Sequence, residues 1–139
     1  MTRLALLLLI CIPASLMAPT ASAERPEPVL CWQAMGLPEP ALMARLILAE
    51  SGGDPMAVSN RGAVGVCQIM PALARSLGHD PARLHEPDYN LVVGGRWLQR
   101  LIDKYGSVDA ALRAWNAGET RRYLWHSESV NNFVRKVRG

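Results

Sequence analysis

The stretch Leu46–Gln68, LILAESGGDPMAVSNRGAVGVCQ, carries an apolar helix into one carboxylate, Glu50, and then into a loop rich in glycine. Leu42, Met43, Leu46, Ile47 and Glu50 fall on adjoining helical positions. Pro40 suits the first turn and Gly52-Gly53 the stop, so the pattern predicts a helix from Pro40 to about Ser51. A carboxylate ending such a helix loses hydration when ionised, which raises its pKa. An acid that holds its proton near neutrality can protonate a leaving oxygen. Spacing alone favours a frayed helix end with Glu50 in water. No second acid stands nearby: Pro55 to His79 contains no Asp or Glu, and Asp54, just before Pro55, reads as a turn residue.

Beyond Asp54, the β-branched residues Val58, Val64, Val66 and Ile69 alternate loosely with small ones, and Gly62 and Gly65 permit tight turns or close approach of a ligand. This segment reads as a loop with short strand-like pieces. Four more helices are expected: Pro71 to Leu77, stopped by Gly78; Asp88 to Tyr105, stopped by Gly106; one capped by Ser107 and ended by Gly118; and one started by Ser127 or Ser129 with Val130, Phe133, Val134 and Val137 on one face. The fold class is therefore α+β but predominantly α-helical, a single domain with a small irregular β-hairpin region.

The chain has 139 residues and a formal net charge of +3, which fits one mildly basic domain. Arg3, the apolar run Leu4–Ile12 and Ala21-Ser22-Ala23 form an export signal with cleavage after Ala23. The expected organisation is a signal peptide over 1–23, a proline-rich lead-in over 24–36 and the folded domain over 37–139, placing the protein in a periplasm or outside the cell. In such a compartment Cys31 and Cys67 either pair as a disulfide or stay as separate buried thiols. His79, His85 and His126 are scattered without metal spacing, so neither a metal nor a cofactor is expected. Arg121-Arg122 and Arg135-Lys136-Arg138 read as solvated faces, with no nucleic-acid partner.

The residues around Glu50 sharpen this. AESGGDPMAVSNRGAVGVCQIMP resembles the signature of the SLT-type lytic transglycosylases of glycoside hydrolase family 23. The matching pieces are Glu50-Ser51, Ala57-Val58-Ser59, Gly62-Ala63-Val64-Gly65, Gln68 and Ile69-Met70-Pro71. Downstream, Asn90 with Gly94, Leu98 and Tyr105, then AWNAG (Ala114–Gly118) and NNFVRKV (Asn131–Val137), are similar to further family motifs in the same order. The resemblance runs from about Leu37 to Val137.

The resemblance implies a lysozyme-like fold and cleavage of the β-1,4 bond between N-acetylmuramic acid and N-acetylglucosamine in peptidoglycan. Glu50 would act first as acid on the glycosidic oxygen and then as base on the muramoyl 6-hydroxyl, closing a 1,6-anhydro ring. Ser59, Gln68, Met70, Trp115 and Asn116 would line the saccharide groove. The missing second acid fits, because two-carboxylate hydrolases need both groups roughly 5–9.5 Å apart across the scissile bond. The family's usual Met before the glutamine is Cys67 here, suggesting that a bridge to Cys31 anchors the groove loop. Its motif tyrosines are Trp115 and Phe133, so the chain must manage without the second hydroxyl or recruit Tyr123. The expectation is a monomer acting on glycan strands, in the service of a secretion or conjugation apparatus. A lysozyme-type hydrolase and a weakly active glycan-binding assembly factor stand as alternatives.

Overall fold

The computed structural model describes residues 35–139. Five α-helices appear among them: α1 (Pro40–Glu50), α2 (Pro71–Ser76), α3 (Pro87–Tyr105), α4 (Val108–Ala117) and α5 (Glu128–Arg138). Two 3-10 turns, Pro81–Arg83 and Arg122–Leu124, were not anticipated. Each lies between helices, where only a loop was expected.

Helix boundaries follow local chemistry. Pro occupies the first turn of α1, α2 and α3, where its missing N–H costs nothing. Gly106 ends α3 in the left-handed region at φ 73°. The hydroxyls of Ser107 and Ser127 accept from Ala110 N and Val130 N, capping α4 and α5.

Helix α3 packs on α4, α4 on α5, and α5 on α1. Met43 and Leu46 of α1, Val93, Leu98 and Leu101 of α3, Leu112 of α4, and Val134 and Val137 of α5 form one buried core. Two cross-links fix α1 against α5. The Arg45 guanidinium donates to Val137 O at 2.7 Å, and the Lys136 ammonium donates to Ala49 O at 3.4 Å, near the end of α1.

Residues 51–70 form an arch over the end of α1, and the expected hairpin reduces to two isolated antiparallel bridges, Val58 with Val64 and Val64 with Ile69. Val64 and Ile69 exchange both backbone bonds, at 3.0 and 2.9 Å. Three side chains brace the arch. Ser51 donates to Val66 O at 2.8 Å. Fully buried Asn90 of α3 accepts from Cys67 N and donates to Val64 O and Leu84 O, each at 2.8 Å. Gln68 adopts a positive φ of 53° and donates through its amide to Ala57 O and Gly65 O at 3.2 and 3.0 Å.

Candidate active site

A cleft of about 430 Å³ opens where the arch faces α4. Glu50, the last residue of α1, lies in it with Ser59, Gln68 and Met70 from the arch and Trp115 and Asn116 from α4. Arg61 and Arg121 also line it. Six of the seven catalytic and groove residues expected from the sequence are thus brought together.

Glu50 is half-buried. Burial pushes its pKa up, and the Trp115 N–H and the Lys136 ammonium partly offset that rise. The indole Nε1–H of Trp115 donates to Glu50 Oε1 at 2.7 Å. Indole nitrogen is a donor only, and a carbonyl oxygen accepts better than a hydroxyl oxygen, so this bond favours the acid proton on Oε2, the oxygen left for a ligand.

Tyr123 does not join the site. It lies on the second 3-10 turn, 79% exposed, and is absent from the cleft walls. The donor to the carboxylate is Trp115 rather than a recruited tyrosine. Phe133 packs against the core. The Trp115 bond spans 65 residues of sequence, but one signal for it was available: a buried indole N–H needs an acceptor.

Ser59 and Gln68 line the cleft but already serve the arch. Ser59 Oγ accepts from Ala63 N at 3.0 Å. Both amide protons of Gln68 are spent on the backbone, so its carbonyl oxygen is the part offered to a ligand. Asp54 is a turn residue as expected, accepting from Met56 N at 2.8 Å on an exposed loop. Glu50 is the one carboxylate lining the cleft among the described residues.

Cys67 is fully buried and in no disulfide among the described residues, and its thiol pKa is pushed up to about 12 by burial and secondarily by the charge of Glu50. Cys31, its expected partner, lies outside the described residues, as do Trp32 and the expected signal peptide. Trp125 is core: it stacks edge-on against Tyr105 and its N–H reaches Gly118 O at 3.3 Å, steadying the cleft floor after α4. Arg121, expected as a solvated charge, is exposed, and with Arg61 it lines the cleft.

A second hollow of about 560 Å³, beside Leu77–His79 and the Arg96–Asp103 part of α3, is larger but holds none of the expected site residues. Its acid, Asp103, accepts from Gln99 on the same helix. The half-buried, singly hydrogen-bonded Glu50 lies in the smaller of the two.

This cleft, with one acid at a helix end under a glycine arch, sits within residues 29–133, which match the transglycosylase SLT domain model. The chain belongs to that family. The match reaches back into the expected lead-in. The SLT domain is 37% identical over 91 residues to a transglycosylase of Enterobacteria phage PRD1, covering 66% of this chain and 33% of the phage protein. It superposes on the 70 kDa soluble lytic transglycosylase of Escherichia coli with a TM-score of 0.64 at 22% identity, over 73% of this chain and 21% of that one. An inactive mutant of the lytic transglycosylase Slt from Pseudomonas aeruginosa gives 0.66 at 22% identity, over 78% and 22%. These likenesses show the fold, the mostly helical lysozyme-like one. The chain spans about a third of the phage protein and about a fifth of either solved chain.

Proposed function

We propose that this SLT domain is a peptidoglycan lytic transglycosylase that cleaves the muramoyl–glucosaminyl β-1,4 bond and leaves 1,6-anhydromuramoyl ends. The observation that carries the reading is Glu50, a single carboxylate with a raised pKa whose Oε1 is occupied by Trp115. In the first step the Glu50 Oε2 proton passes to the glycosidic oxygen as the C1–O bond breaks, with the substrate's own N-acetyl oxygen supporting C1. In the second step the muramoyl 6-hydroxyl oxygen bonds to C1 and its proton returns to the Glu50 carboxylate. Atoms balance without water, and the acid is regenerated. One carboxylate suffices because it serves as acid and base in turn.

The absence of a second carboxylate from the cleft walls among the described residues favours this route over lysozyme-type hydrolysis, in which a second acid would activate water or capture the sugar. Export after cleavage at Ala23, a periplasmic or secreted location, action as a monomer and local wall opening for a secretion or conjugation apparatus belong to the same proposal, on the sequence features given above. The test is digestion of purified peptidoglycan followed by mass analysis of the muropeptides. Anhydro ends are expected. Reducing ends would establish a hydrolase, and binding without cleavage an assembly factor. Glu50→Gln should lower turnover by roughly 10²–10⁴-fold; full activity in that variant would sink the assignment.

A further inference from the structure

Three basic residues crowd the last turn of α5, and two of them are held on its own side of the fold. Arg135 donates to Asn132 of the same helix, and Arg138 pairs with Asp109 at 3.1 Å. Lys136 takes part in no ion pair among the described residues, whose pairs are Arg83–Glu86, Lys104–Glu119 and Arg138–Asp109. Its ammonium instead donates to Ala49 O at 3.4 Å, on the peptide group that joins Ala49 to Glu50. That carbonyl belongs to the last turn of α1, where intrahelical donors run out and a cation is favoured. The Arg45 bond to Val137 O, at 2.7 Å, ties α5 to α1 beside it. Lys136 is exposed and is not part of the cleft walls, so its effect on the reaction must pass through Glu50.

The other titratable groups around Glu50 are Arg61 and Cys67 of the arch and Arg121 beyond α4, while α4 itself brings the neutral Trp115 and Asn116. Cys67, with its pKa of about 12, is uncharged at working pH. Of the cations, Lys136 is the one whose charge favours the ionised Glu50 carboxylate. The proposed reaction needs that acid in two states. It begins neutral, which burial favours, and gives its proton to the glycosidic oxygen. It then carries a full negative charge beneath the bound glycan until the 6-hydroxyl returns a proton. Burial opposes that charge, and Trp115 supports only Oε1. A fixed cation outside the cleft stabilises the charged interval and leaves the neutral state almost untouched.

We infer that Lys136 is a positioning residue of the reaction: held on Ala49 O, its ammonium steadies the Glu50 carboxylate between giving up one proton and taking the next. The inference rests on the transglycosylase reading above and adds to it a group that the substrate never meets.

The experiment compares wild type with Lys136→Met, which keeps the stem and removes the charge, and Lys136→Arg, which keeps the charge. Circular dichroism confirms that each is folded. The Glu50 carboxyl is titrated by ¹³C NMR, its signal assigned by its loss in Glu50→Gln, and muropeptide release is followed across pH. In the Met variant the Glu50 ionisation constant should fall about two- to fivefold, the range of exposed charge pairs. The falling limb of its rate profile should move to higher pH by the same amount. Its maximal rate should drop, while co-sedimentation with peptidoglycan stays as in wild type. The Arg variant should behave like wild type in each respect. Salt at about 1 M, where the Debye length is about 3 Å, should move the wild-type carboxyl titration toward that of the Met variant and leave the latter in place. An unmoved carboxyl titration in the Met variant, or equal shifts in the Met and Arg variants, would overturn the inference. If wild type releases no muropeptides, the enzymatic reading fails and the role in reaction with it; the NMR titration needs no catalysis and still decides whether Lys136 acts on the acid.

Discussion

The indole Nε1–H of Trp115 lies 2.7 Å from Oε1 of Glu50, joining the end of α1 to the last turn of α4. This bond governs two properties of the acid. It favours the proton on the other oxygen, and it lowers a pKa that burial raises.

Removing the donor should therefore move the pH profile in a defined direction. In Trp115→Phe the carboxylate loses its charge-stabilising hydrogen bond, so the Glu50 pKa rises further. The limb of the rate profile that falls as Glu50 deprotonates should shift toward higher pH by about one unit, since one unit corresponds to about 1.36 kcal/mol and hydrogen bonds to charged groups contribute about 1.5–3 kcal/mol. The maximal rate should fall because the proton is no longer confined to Oε2. Trp115→Tyr returns a donor on an aromatic ring and should restore much of the profile. An unchanged limb in the Phe variant would show that the bond does not tune the acid.

Stability should depend on pH through the same group. The folded pKa of Glu50 lies above its unfolded value of 4.5. Below the unfolded value the group is protonated in both states and contributes nothing. As pH rises through the folded value, the folded protein must hold a charge that burial disfavours, so stability falls. Glu50→Gln should raise Tm at neutral pH, and the gain should vanish at about pH 4. Thermal melts of both proteins across this range are sufficient, and a gain that grows on acidification would contradict the assignment.

The arch should be the most substitution-sensitive part of the molecule. Asn90→Ala orphans Cys67 N and Leu84 O and takes one of the two bonds to Val64 O, which keeps Ile69 N, and each unsatisfied buried group costs about 1–3 kcal/mol. A loss of about 2 kcal/mol or more is expected in denaturant titration. Gly65 has φ 79°, and a Cβ there would lie 2.3 Å from both Asn90 Nδ2 and Leu84 O. Gly65→Ala should cost at least about 2 kcal/mol, from overpacking and a disfavoured backbone. Near-wild-type midpoints in both variants would refute the view that Asn90 pins the arch.

Cys67 should be silent to thiol reagents in the folded protein. Its sulfur is fully buried, its pKa is about 12, and it sits so close to α3 that a Cβ at Gly94 would come within 2.9 Å of it. Only the thiolate reacts, so at pH 8 colour should develop from Cys67 only after guanidinium is added. A denatured, unreduced sample showing no thiol at all would instead establish the pairing with Cys31.

Most of the helical frame was legible in the chain. Pro40, Pro71, Ser107 and Ser127 start helices and Gly106 and Gly118 end them because these residues act on their own backbone within a turn. All four expected helices beyond α1 appear within a residue or two of their anticipated ends. The acid was legible too, from one charge ending an apolar run and from the order of the motifs around it.

What local sequence could not supply was distance. Trp115 was noted as a flat aromatic on the groove, but its hydrogen bond to a carboxylate 65 positions away exists only because α4 packs against α5 and α5 against α1. Tyr123, close in sequence to that motif, turns outward on a 3-10 turn that no periodicity announced. The sequence by itself determined which segments are helical and which carboxylate can hold a proton, since both depend on neighbours along the chain. Tertiary structure alone decided which donor meets that carboxylate and which side chains share its cleft, because those depend on groups brought together by burial of a common core.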